Sequence, residues 1–188
     1  MVEGDSDKAY LQMVARCRYK GSLEAHGIVI ISVGGNGNIE KPLVVFRSFG
    51  IKVYPVWDND KPNAQACSTN RKLLRLCGSE EEDWPEGIHD THAIFSPKLE
   101  AIIEDDVRQA GIDWTALRDE VCNQIGGELK SHAVVSEIVK RAHEQRCQFP
   151  FASQIIERVM TLTGIPVQLT ASGSTPADPA ASTEEHTQ

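Results

Sequence analysis

The sequence has few cysteines and no close cysteine pair: its five thiols stand at positions 17, 67, 77, 122 and 147, and no CxxC occurs. An odd count without close pairs argues against a disulfide framework and a structural zinc site, and implies reduced thiols. No run of about 18 apolar residues is present, so no segment is expected to span a membrane. The opening residues, MVEGDSDKAY, are acidic and lack the apolar stretch of a secretory signal. Together these absences predict a soluble, cytoplasmic chain. A phosphate-binding loop is also missing, because GGNGNIEKP puts Glu40 where glycine is required and Pro42 after the lysine. The same glutamate breaks a GxGxxG. No GxSxG supports a serine nucleophile, and no internal repeat is visible.

The charge is unevenly placed. Residues 80–90 (EEEDWPEGIHD) hold six acids and residues 171–188 hold three, with no Lys or Arg in either stretch. The remaining charges nearly balance, so the formal net charge of −8 neither supports nor excludes a polyanionic partner.

Composition divides the chain into residues 1–97, 98–166 and 167–188. In the first zone, the β-branched runs IVIISV (28–33) and IKVYPVW (51–57) read as strands, each followed by turn chemistry, GGNGN and DNDKPN. Pro55 removes one ladder donor from the second run. Between them, Ile39, Leu43, Phe46 and Phe49 predict a helix over 39–49, with Asn38 as N-cap and Gly50 as stop. Tyr10, Leu11, Val14 and Ala15 predict a helix upstream, NRKLLRLCG another, and HAIFS a further strand. Strands alternating with helices imply a parallel sheet covered on both faces.

The second zone predicts helices only. Its apolar stripes are Leu99–Ile102–Ile103–Val107, Leu117–Val121–Ile125, Val134–Val135–Ile138–Val139–Ala142 and Ile155–Ile156–Val159–Met160–Leu162. Pro150 stands near the start of the last helix, Gly164 at its end and Pro166 beyond. The third zone has almost no large apolar residues and predicts a disordered tail.

The acids that follow predicted strand ends carry the most chemical information, since ligands of doubly wound sheets collect at those ends. Asp58 and Asp60 lie just past Trp57 and, two apart on an extended segment, point the same way. Paired carboxylates repel unless a proton or cation neutralises them, and their oxygen donors suit a hard divalent ion. A solvated Asx turn before Lys61–Pro62 is the alternative reading of the same residues. Glu3 and Asp7, four apart, can share a helical face; acids at a helix N-terminus also have an ordinary dipole rationale.

Taken together, VEGDSDKAYL, GIVIISVGGNGNIEK and GIKVYPVWDND resemble the Toprim domain, the metal-binding fold of topoisomerases, primases and several nucleases. Within it they are most similar to the Toprim domain of overcoming-lysogenization-defect (OLD) family ATP-dependent endonucleases. The resemblance covers residues 1–60 and continues more weakly to about 165. It implies a Rossmann-like parallel sheet flanked by helices, followed by a helical extension. It implies Mg²⁺ or Mn²⁺ held by Glu3, Asp7, Asp58, Asp60 and Glu100, with Glu3 also a general base and Lys130 offsetting charge at the phosphoryl group. Gly34, Gly35 and Gly37 would shape the loop beside the metals. The activity implied is two-metal hydrolysis of DNA, with a non-catalytic, partner-dependent module and a nucleotidyl transferase as alternatives. Only Met1–Val2 precede Glu3, where Toprim domains begin with a full strand, and no ATPase motif is present. A missing ATPase domain or subunit is therefore the expected partner, alongside DNA and a possible homo-oligomer.

Elsewhere, His89 and His92 read as part of an acidic surface loop, and Cys67 and Cys77 as small residues at the core edge. Arg71, Lys72, Arg75, Lys140, Arg141 and Arg146 could touch phosphates, but read individually as solvated faces.

Overall fold

The computed structural model describes residues 1–19 and 23–164; the predicted tail and Pro166 lie outside the described residues. Helix α1 spans Asp5–Arg18, α2 Glu40–Ser48 and α3 Ala66–Cys77. The helical zone contains α4 (Leu99–Gln109), α5 (Trp114–Ile125), α6 (His132–Glu144) and α7 (Pro150–Thr163). Three short strands complete the named elements: β1 (Val56–Asp58), β2 (Gly87–Ile88) and β3 (Ala93–Phe95).

The sheet order is β1-β3-β2, with β1 parallel to β3 and β2 antiparallel to it. The fold is therefore α/β with a small mixed sheet rather than the all-parallel sheet expected. Two isolated parallel bridges widen it, for Val2 pairs with Ser32 on one side and Val56 on the other. Their hydrogen bonds run from Val2 N to Ile31 O (2.8 Å), from Val33 N to Val2 O (3.1 Å) and from Val56 N to Met1 O (2.9 Å). The run 28–33 is thus extended but carries only one bridging residue, and the run 51–57 is strand only at its end. Its neighbour supplies Val2 alone, and a ladder needs partners of comparable length.

Side-chain alternation along the strands separates two apolar layers. Val56, Ala93 and Phe95 face the larger core, with α1, α4, α5, α6 and α7. Trp57 and Ile94 face the other side, with Ile39, Leu43, Leu73 and Leu74 of α2 and α3 and their lead-in. Helices cover both faces, as the alternating pattern predicts. One difference lies at the start of α2. Asn38 is not its N-cap; it belongs to a short 3₁₀ turn, Asn36–Asn38, and its Nδ2 donates to the carbonyls of Val33 and Gly34 (3.2 and 2.9 Å). The five cysteines are free thiols. No helix among the described residues is long and apolar enough to cross a membrane.

A buried polar contact ties α1 to the helical zone. Tyr10 Oη donates to Asp106 Oδ2 at 3.2 Å, and the Tyr10 ring meets Phe95 and Phe149 edge-on. Burial raises the Asp106 carboxyl to about 6. Tyr10→Phe would leave that acceptor without its donor, at a cost of about 1–3 kcal/mol. The expected result is a lower urea midpoint with an unchanged m-value; an unchanged midpoint would refute the importance of this contact.

Candidate functional site

The parallel segments end at one edge of the sheet, and the acids gather there. Glu3 follows the bridging residue Val2, Asp58 closes β1, and Glu100 lies in the first turn of α4, shortly after β3. Asp7 lies in the first turn of α1, which starts at Asp5 because the Gly4 N–H is taken by Asp7 Oδ2 at 2.5 Å. Backbone donors pin the other carboxylates too. Asp58 Oδ1 accepts from Leu99 N at 3.1 Å, and Glu3 Oε2 accepts from Asp58 N at 3.3 Å.

The GGNGN loop closes over Glu3. Gly34 and Gly35 both donate their N–H to Glu3 O at 2.9 Å, with φ of 75° and 125°. Side-chain-bearing residues rarely adopt that backbone, so these two glycines are needed for the loop to fold back over the strand end. The loop then presents Asn36, whose Nδ2 donates to Asp60 Oδ2 at 3.2 Å. Asp60 itself sits at φ 56°, and its N–H is held by Pro97 O at 3.0 Å. Asn36 is a site neighbour that sequence reasoning counted only as turn chemistry. The signal available was the asparagine pair inside a glycine-rich strand end.

The electrostatics show mutual proximity. Asp58 is pushed up to about 9, first by burial and then by repulsion from Asp7, Glu3 and Glu100. Asp7 is pushed up to about 7 by burial, with Glu3 and Glu100 adding repulsion. Glu3 is raised by burial and by Asp60, against the backbone donors of Asp58 and Asn36 and the Lys130 ammonium. All six residues expected from the sequence therefore fall within electrostatic reach of one another or of Glu3. Asp58 feels Asp7, Glu3 and Glu100, Asp7 feels Glu3 and Glu100, and Glu3 feels Asp60 and Lys130.

Among the described residues, no group of three or more His, Cys, Asp or Glu side chains is arranged to hold a metal ion as it stands. In donor type the residues fit a hard divalent cation: every candidate ligand is a carboxylate, and the buried Asp7 and half-buried Asp58 both have their charge opposed by like charges.

The remaining candidates fall away from this edge. His92 is fully buried, stacked between Trp57 (5.3 Å) and His89 (4.5 Å), with Nε2 unpartnered and its pKa lowered to about 4 by burial. His92 is thus a core residue and not part of a surface loop. Asp83 pairs with Arg71 at 2.5 Å, Glu81 with Arg75 at 2.7 Å, and Glu40 with Lys72. The acidic stretch therefore folds back on the basic face of α3. Arg141 is likewise paired, to Glu137 and Glu120.

An α/β domain with a carboxylate cluster at the carboxyl edge of its strands defines the class. Residues 1–60 match the family model of the overcoming lysogenization defect protein-like TOPRIM domain. Over those residues the chain is similar to the OLD-like Toprim domain, a likeness that points to a metal-dependent, nucleic-acid-related function. No curated protein and no solved structure matches the chain.

Proposed function

We propose that this protein is a divalent-metal-dependent endonuclease of the OLD Toprim type, with Glu3, Asp7, Asp58, Asp60 and Glu100 holding Mg²⁺ or Mn²⁺. The carrying observation is the convergence of acids from the first three residues, from the end of β1 and from the start of α4 on one sheet edge. Divalent ions held by these carboxylates would supply Lewis-acid activation of a water and charge neutralisation at a phosphodiester.

The chain's own groups have separable tasks in this reading. Glu3, raised by burial and by Asp60, suits a proton acceptor for the attacking water. Lys130, exposed and electrostatically coupled to Glu3, offsets charge that builds on the phosphoryl oxygens. The backbone donors of Leu99, Asp58 and Gly4 fix the carboxylates in place. The Rossmann-like arrangement follows the same reading, with Val2 at the centre of parallel segments. An ATPase domain or subunit is the proposed partner, because residues 1–60 resemble the Toprim domain of a family of ATP-dependent endonucleases.

The test is incubation of supercoiled plasmid with the protein, with and without Mn²⁺. Nicking is expected only with the metal and is expected to vanish in Asp58→Ala/Asp60→Ala protein. Nicking that persists unchanged in that variant would overturn the assignment. A metal-stabilised module that melts higher in Mn²⁺ but never nicks would instead favour a non-catalytic role.

A further inference from the structure

A groove of about 390 Å³, with Ala9 and Met13 in its lining beside charged and polar side chains, runs along the seam between α1 and α6. Its walls carry Lys8, Gln12 and Arg16 from α1, and His132 and Ser136 from α6. Lys8, Gln12 and Arg16 are spaced by four, so they form one row along the helix. At 1.5 Å per residue, Lys8 and Arg16 stand about 12 Å apart along the axis.

The groove starts at the acidic centre. Lys8 follows Asp7 in the chain, and His132 lies two residues after Lys130. Cys17, at the other end of α1, is influenced by Lys140 and Glu144 of α6. The two helices therefore run the same way, and both begin beside the carboxylates. Their N-termini carry partial positive charge at that end.

Neither Lys8 nor Arg16 forms a salt bridge among the described residues, whereas Arg71, Lys72, Arg75, Arg141 and Arg158 all do. The acid in the groove, Asp5, is engaged by Ser32 Oγ at 2.5 Å, and Gln12 by Glu24 at 3.2 Å. Cations left unpaired in a chain with an excess of acids are suited to an anionic ligand. A cleft this small cannot enclose a duplex. One backbone strand fits it, and a row of about 12 Å is long enough to meet more than one of its successive phosphates.

We infer that the α1–α6 groove seats the sugar–phosphate backbone of one DNA strand, with Lys8, Arg16 and His132 on its phosphates, and leads that strand to the acidic centre. This rests on the nuclease reading of that centre. Electrostatic capture in the groove would also answer a problem of the site itself, whose carboxylates repel DNA.

The test is fluorescence anisotropy of a labelled single-stranded oligonucleotide with the full chain in Ca²⁺, over a range of NaCl. Lys8→Gln/Arg16→Gln is expected to weaken binding at least tenfold at low salt and to flatten the salt slope by about 1.4, or about 0.7 for each lost phosphate contact. The comparison variant Lys41→Gln/Arg108→Gln removes two charges from α2 and α4 and is expected to bind like wild type. Equal losses in both variants, no loss in the first, or no binding by wild type would each overturn the inference. Groove-dependent binding by a protein that never nicks would uphold the groove and sink the nuclease reading. Nicking with groove-independent binding would do the reverse.

Discussion

Asp58→Asn protein is expected to melt at a higher temperature than wild type in EDTA, and to have lost its metal-dependent nicking. The carboxyl of Asp58 is half-buried beside Asp7, Glu3 and Glu100 and is pushed up to about 9 by its desolvation and their repulsion. Near neutral pH the folded chain must hold a proton there that the unfolded chain does not need, a penalty set against folding. An amide of the same shape carries no charge, and its Oδ1 can still accept the Leu99 N–H that Asp58 accepts at 3.1 Å. The gain should be on the order of 1–3 kcal/mol, with each kcal/mol worth about 2–4 °C for a chain of this size. The same change removes an anionic ligand, so nicking should fall by at least about 10²-fold and the rise in melting temperature on adding Mn²⁺ should shrink or vanish. A functional site that works against stability is a recurrent pattern, and the opposite signs of the two effects make the experiment discriminating. Lower melting in EDTA, or nicking at the wild-type rate, would sink it.

Metal affinity should also climb steeply with pH. Asp7 and Asp58 hold protons up to about 7 and about 9, and a cation must displace them. Above pH 7 only the Asp58 proton is left, so affinity for Mn²⁺ should rise by up to about tenfold per pH unit and level off past pH 9. Below pH 7 the dependence steepens as Asp7 joins. In EDTA the sign reverses. Acids raised in the folded state contribute their full stability only below their unfolded pKa and lose it as pH rises to the folded value, so these two carboxylates stabilise less from about pH 4 upward through 7 and 9.

Two other buried groups pull the other way. His92, lowered to about 4, contributes stability that is lost as pH falls below its ordinary 6.5. The Met1 amine, lowered to about 6 by burial, does the same below 8. Both act equally with and without metal, so the difference between Mn²⁺ and EDTA isolates the carboxylates. Calorimetric titration in two buffers of different ionisation enthalpy at pH 8 should show close to one proton released. Affinity that does not change between pH 7 and 9 would show that these groups do not bind the ion.

Much of the architecture was legible because helical periodicity is a local property. The stripes Leu99–Val107 and Val134–Ala142 became α4 and α6, and Gly126 and Gly164 lie at left-handed positions that end α5 and α7. Strands were less legible. β2 is two residues inside an acidic stretch and has no alternation to read, while IVIISV has a strong signal but only Ser32 among its residues makes a named bridge. Strand identity depends on a neighbour that local pattern does not describe. His92 illustrates the same gap: beside six acids it reads as surface, yet Tyr54 Oη holds its carbonyl at 2.7 Å and Trp57 covers its ring.

The sequence by itself determined the inventory: which acids exist, that DND and VEGDSD follow or open regular elements, and that glycines stand where the Glu3 loop must turn. Only tertiary structure decided their company. Asp58 lies 55 residues from Glu3 along the chain, yet its N–H meets that carboxylate, because Val2 and Val56 share a ladder position. The same is true of the α1–α6 groove, where Lys8 and Arg16 become one wall of a cleft only when α6 packs alongside. Which groups share a low-dielectric neighbourhood is fixed by long-range packing, and their repulsion, protonation and affinity for cations follow from that.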